Sequence, residues 1–134
     1  MNSIDPNGPA APSPADLPGD VLLVEDDPLI AMDSAEIITG FGVTSVRTAR
    51  SVAGALKLIA ERAPDFALLD VGLIREKSFA VAEQLKQQKI PFAFVTGYSG
   101  PASVQPAFKH SPVLRKPYLR EELLETLRQW RNQT

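Results

Sequence analysis

The stretch Phe66-Ala67-Leu68-Leu69-Asp70 restricts this chain more than any other, because four apolar residues in a row are closed by a carboxylate. A run without polar alternation is buried on both faces. Pro64 behind and Gly72 ahead hold it to strand length, so it reads as a strand inside a parallel sheet. Asp70 is then lifted out of the core at a fixed point, and it is the first candidate for chemistry.

The rest of the chain repeats that plan. Val21-Leu22-Leu23-Val24 follows Asp20 as a second apolar run and meets three acids, Glu25-Asp26-Asp27. Pro28 suits a first helical position, where its missing N–H costs nothing, and Leu29, Ile30, Asp33, Ile37 and Ile38 continue at helical spacing until Gly40 and Gly42. Val43 to Thr48 reads as the next strand, and Ser51 caps a helix with Val52, Ala55, Leu56 and Ile59 on one face. After the Phe66 strand a polar loop leads into an amphipathic helix over Ser78 to Gln88, carrying Phe79, Val81, Ala82 and Leu85. Ile90 to Val95 is a fourth strand, ending at Thr96. Val113-Leu114 forms a short fifth strand before Lys116-Pro117, and Leu119, Leu123, Leu124, Leu127 and Trp130 stripe a last helix. Between strands four and five, Gly97, Gly100, Pro101, Pro106 and Pro112 interrupt the segment around Ala102 to Phe108, which predicts a short or mobile helix.

Five strands alternating with helices imply right-handed crossovers and a parallel sheet covered on both faces, an α/β doubly wound fold with flavodoxin-like strand order 2-1-3-4-5. In such sheets the site lies beyond the carboxyl ends of the strands, where Glu25, Asp26, Asp70, Thr96 and Lys116 all fall. At 134 residues there is room for one domain with a real core. Residues 1–19 hold five prolines among Ala, Ser, Asn and Gly, and are predicted to be a disordered tail, whether native, a linker or a cloning-derived extension; the domain is expected over 20–134.

A net charge of −2 with no clustered basic face gives no support to nucleic-acid binding. The absence of cysteine excludes disulfides and thiol chemistry. No apolar run is long enough to cross a bilayer, and the N-terminus lacks the pattern of a secretory signal, so neither a membrane partner nor export is expected and the location is read as cytoplasmic.

Three carboxylates gathered at one end of a sheet repel one another unless a cation neutralises them. Oxygen donors without His or Cys select Mg²⁺ over zinc or copper, and leave room for water and a phosphoryl group. A carboxylate beside such a metal can attack phosphorus and form an aspartyl phosphate, while a hydroxyl and an ammonium stabilise the transferred oxygens; Thr96 and Lys116 are of those types. Each residue alone also has an ordinary reading: Asp70 as a turn residue, the acid triplet as a solvated first helical turn, Thr96 as a strand-end hydroxyl, Lys116 as a surface lysine. Their fall on successive strand ends, in the order acidic pair, Asp, Thr, Lys-Pro, joins them into one site.

From Asp20 onward the chain resembles the receiver domain of two-component response regulators, whose fold is CheY-like. The matching motifs are Val24-Glu25-Asp26-Asp27-Pro28, the strand ending at Asp70, Val95-Thr96-Gly97-Tyr98 and Leu114-Arg115-Lys116-Pro117-Tyr118. The resemblance implies that Asp70 accepts a phosphoryl group from a sensor histidine kinase or histidine phosphotransfer protein. It implies that Glu25 and Asp26, with Asp70 and the Gly72 carbonyl, hold Mg²⁺; that Thr96 bonds the phosphoryl group; that Lys116 pairs with its oxygens; and that the Lys116–Pro117 bond is cis.

Phe92-Ala93-Phe94-Val95-Thr96-Gly97-Tyr98 is similar to the motif of the FATGUY subgroup, with Val95 where that name has Ala. Val113 stands where other receivers carry a fifth-strand aromatic switch, which leaves Tyr98 either as its substitute beside Thr96 or as a ring packed over the loop. Ile74 stands where many receivers carry proline. The resemblance implies a bacterial phosphoprotein, not an enzyme beyond its own phosphorylation and dephosphorylation. With the sequence stopping after the Trp130 helix, it signals through a downstream protein partner or a phosphorelay. A degenerate receiver used only for binding is the alternative. A dehalogenase-type aspartyl-phosphate phosphatase would want a second acid where Gly72 stands, and a nucleotide-binding flavodoxin would want glycines and hydroxyls where the acid triplet stands.

Overall fold

A computed structural model describes residues 16–73, 76–97, 108 and 111–132. Strands β1 (Asp20–Val24), β2 (Ser45–Ala49), β3 (Phe66–Asp70), β6 (Phe92–Thr96) and β7 (Val113–Arg115) form one parallel sheet, and β4 (Gly72–Leu73) pairs antiparallel with β5 (Glu76–Lys77) in a separate hairpin. Helices α1 (Pro28–Gly40), α2 (Val52–Glu61), α3 (Phe79–Gln87) and α4 (Arg120–Arg128) provide the crossovers and the C-terminal cover. The sheet order β2-β1-β3-β6-β7 is the expected 2-1-3-4-5 when its five strands are counted alone.

Strand alternation divides the interior into two layers. Leu22, Val24, Ala67, Leu69 and Phe94 face Ala55 and Ile59 of α2 and Val81, Ala82 and Leu85 of α3. Val21, Leu23, Phe66, Leu68, Ala93 and Val95 face Ala31 and Ile38 of α1 and Leu123 and Leu127 of α4. Every residue of β3 and β6 is buried, as their unbroken apolar runs require. Each such Leu or Phe contributes about 2 kcal/mol relative to exposure. Phe108 completes the first layer, stacked on Phe79 at 5.8 Å and edge-on to Phe94 at 5.5 Å.

Local chemistry sets the helix starts. The Asp27 carboxylate accepts from the Leu29 and Ile30 N–H groups at 2.9 and 3.3 Å, with Pro28 at the first position of α1, and Ser51 Oγ accepts from Gly54 N–H at 3.1 Å to start α2. Gly42, at φ 108°, takes the left-handed turn after α1, a conformation that glycine adopts without steric cost. At the opposite end of the sheet from the acids, Arg47 grips Asp20 through two bonds of 3.1 and 2.7 Å, and Arg62 adds a third at 3.0 Å. These cations outweigh the effect of burial and hold the Asp20 carboxyl below its usual range.

Several expectations are corrected. The domain reaches back before Asp20: Leu17 is only 3% exposed within the α1–α4 layer, and Gly19 N–H donates to Asp65 Oδ2. The polar loop after β3 contains the β4–β5 hairpin, which two residues per strand were too short to announce by periodicity. On α1 the cap geometry turns Leu29 outward at 71% exposed, and the buried positions are Ala31, Ser34 and Ile38. Leu119 is the exposed cap residue of α4 and lies off its buried stripe, while Trp130 lies in a 3₁₀ turn (Gln129–Asn132) that follows. The short helix expected around Ala102 to Phe108, the switch candidate Tyr98 and Ile74 lie outside the described residues, Phe108 excepted. Among the described residues no helix is long and apolar enough to cross a membrane.

Candidate functional site

The parallel register brings the strand ends together. Val24 pairs with Leu69, Asp70 with Val95, and Thr96 with Arg115, so the residues that follow β1 and β7 meet the last residues of β3 and β6. Glu25, just past β1, donates its N–H to the Ala49 carbonyl and is 4% exposed; Asp70 is 9% exposed and Thr96 2%. Carboxylate oxygens of Glu25, Asp26 and Asp70 all lie within 4.8 Å of one another. The third acid of the triplet, Asp27, caps α1, and its N–H also donates to Glu25 Oε2 at 3.1 Å.

Lys116 enters from the β7 end, its N–H bonded to the Thr96 carbonyl at 2.7 Å. Its ammonium donates to Glu25 Oε1 at 2.9 Å and to Asp70 Oδ2 at 3.2 Å. Among the described residues, three carboxylates therefore face one ammonium. Burial, helped by Asp70, pushes the Glu25 carboxyl up to about 7 against the pull of Lys116 and the Asp27 amide. Burial works against the Lys116 charge, but the hydrogen bond to Glu25 and the charges of Asp70 and Glu25 outweigh it and raise its pKa.

The second Asp70 oxygen, Oδ1, accepts from Gly72 N–H at 3.2 Å, and a side chain added at Gly72 would meet open space. Thr96 Oγ1 is buried without a hydrogen-bond partner in the described structure. A buried hydroxyl left so costs about 1–3 kcal/mol unless a further acceptor arrives. The Lys116–Pro117 peptide bond is cis. Just beyond it, Tyr118 Oη and Ser34 Oγ share a 2.7 Å hydrogen bond that ties this loop to α1. Nothing in the sequence pointed to Ser34, a small polar residue on an otherwise apolar helix face.

The sequence-derived residues Glu25, Asp26, Asp70 and Lys116 thus converge directly. Thr96 ends the strand beside Asp70, and Gly72 bonds to it through its amide. The donor set fits a hard divalent cation: it is made of oxygen alone, its carboxylates converge, and its charge exceeds what Lys116 neutralises.

A model of the response regulator receiver domain matches residues 21–128. The phyllosphere-induced regulator PhyR of Methylorubrum extorquens is 36% identical over 87 residues, covering 63% of this chain and 33% of that protein. The solution structure of SdrG from Sphingomonas melonis Fr1 superposes with a TM-score of 0.73 at 42% identity, covering 84% of this chain and 94% of that one. A BeF3-activated conformation of SdrG from Pseudomonas melonis Fr1 gives 0.70 at 41%, covering 81% and 92%. The chain spans 33% and 46% of the lengths of the first two curated relatives, PhyR and the sensory transduction protein LytT of Enterococcus faecalis.

Proposed function

The chain belongs to the response regulator receiver family, and from that premise we propose that Asp70 accepts a phosphoryl group from a phosphohistidine of a sensor kinase or phosphotransfer protein. An Asp70 carboxylate oxygen attacks phosphorus, the new O–P bond forms as the N–P bond breaks, and the histidine nitrogen leaves with its electron pair. The observation that carries this reading is the Lys116 ammonium, bonded at once to Glu25 and Asp70 among three converging carboxylates. Lys116 is poised to follow the charge from the Asp70 carboxylate onto the transferred oxygens. Thr96 supplies a buried hydroxyl, without a partner among the described residues, to bond one of them. Mg²⁺ held by Glu25, Asp26, Asp70 and the Gly72 carbonyl would neutralise the phosphoryl oxygens during transfer.

Signalling then passes by protein contact or phosphorelay, in the cytoplasm, with no chemistry beyond gain and loss of the phosphoryl group. Exposed Leu29, Ile30 and Met32 in the first turns of α1, just past the acid triplet, and Leu119, just past Lys116-Pro117, support apolar protein contacts near the site. The BeF3-activated form of SdrG supports a two-state response in this chain too. Within the FATGUY likeness, Tyr98 takes the switching role that Val113 lacks an aromatic ring to perform.

Intact mass after incubation with acetyl phosphate and Mg²⁺ tests this. One base-labile phosphoryl group is expected, lost with Asp70→Asn and lost in chelator. A folded chain with no mass gain would refute the phosphoacceptor reading and leave a receiver used only for binding.

A further inference from the structure

The hairpin that follows Asp70 carries a second lysine, Lys77. Gly72 and Lys77 are direct antiparallel partners in β4 and β5. Such partners stand about 5 Å apart and carry their side chains on the same face of the hairpin. That face is the outward one, since Gly72 and Lys77 are exposed while Leu73 beside them is buried. Gly72 has no side chain, and the space where one would stand is open. Its amide lies 3.2 Å from Asp70 Oδ1, the carboxylate oxygen that Lys116 does not hold. Lys77 thus starts from the same outward face as Gly72, and its flexible four-carbon stem is long enough to swing over the bare glycine toward an incoming group at Asp70.

We propose that Lys77 is a second cationic contact for the phosphoryl oxygens at Asp70, opposite Lys116 and reached over Gly72. The assignment rests on the phosphoacceptor reading and names a further binding residue for that same reaction. With Lys116 and a bound Mg²⁺ offsetting the three carboxylates, the charge left to meet is that of the incoming phosphoryl oxygens themselves. An added ammonium on the solvent side would attract them, and because it is exposed its effect is modest and screened by salt.

The test is the initial rate of phosphorylation of the full chain by acetyl phosphate in Mg²⁺ at low ionic strength, read by intact mass. Lys77→Ala is expected to slow the reaction on the order of threefold, Lys77→Glu to slow it further, and Lys77→Arg to retain the wild-type rate. The differences should shrink at high salt. Lys77→Ala and Lys77→Glu at the wild-type rate, or Lys77→Arg as slow as Lys77→Ala, would overturn the assignment while leaving Asp70 as acceptor. A wild-type chain that gains no phosphoryl group would overturn the acceptor reading itself.

Discussion

Ionisation of Glu25 should set the pH dependence of stability in the metal-free protein. Its carboxyl is buried, and burial lifts its pKa from 4.5 to about 7 despite the Lys116 ammonium at 2.9 Å. At about 1.4 kcal/mol per tenfold change in proton affinity, that rise corresponds to roughly 3 kcal/mol. The folded chain binds this proton more tightly than the unfolded chain does. The stabilising contribution is therefore complete below pH 4.5 and is lost as the pH climbs to and through about 7. Urea unfolding in chelating buffer between pH 5 and 8, for the wild type and Glu25→Gln, reads the effect, because the difference between the two curves cancels the titrating groups that do not interact with Glu25. The wild type should lose up to roughly 3 kcal/mol relative to the variant across this window. Saturating Mg²⁺ should flatten the wild-type curve, since a bound cation favours the ionised carboxylate. Parallel curves without metal would refute the reasoning that burial dominates at Glu25.

Thr96→Val keeps the shape of the side chain but removes a buried hydroxyl that has no partner among the described residues, so the thermal midpoint of the unphosphorylated protein should rise, by about 1 kcal/mol in stability; a fall of that size would contradict it. Lys116→Met removes the ammonium that occupies Glu25 Oε1 and Asp70 Oδ2, and calorimetric Mg²⁺ affinity should increase roughly tenfold even as phosphorylation fails; unchanged affinity would mean that the metal does not use those oxygens. Arg47→Ala leaves Asp20, whose side chain is 13% exposed, to the more exposed Arg62, and urea unfolding should register a loss of about 2 kcal/mol; a loss below about 0.5 kcal/mol would show the pair to be merely a surface one.

The sheet was legible because its strands are buried on both faces: Val21–Val24, Phe66–Leu69 and Phe92–Val95 are apolar at every position, and such runs admit few other readings. The convergence of Glu25, Asp26, Asp70 and Lys116 followed from strand order alone, since a parallel sheet gathers all its carboxyl ends at one edge. Other features are tertiary and leave no local trace. The burial of Leu17 depends on the apolar cluster it shares with residues distant in sequence such as Phe41, Val43 and Phe66, and the outward turn of Leu29 depends on how Asp27 orients the first turn of α1. The β4–β5 hairpin is too short for alternation to be read, and the Ser34–Tyr118 bond joins residues 84 positions apart.

Each chemical group of the site stands at the last residue of a strand, or one to two residues past it, and the apolar residues of those strands pack into two layers at once. Sliding any strand by one position would exchange its inward sets between layers and carry its site residue away from the others. The spacing of the reactive groups is thereby inherited with the interior, under the same selection that preserves folding. The exposed apolar residues of α1 and Leu119 carry no such burden. Substitutions at those positions should therefore change what the surface presents while leaving Glu25, Asp26, Asp70 and Lys116 where they converge.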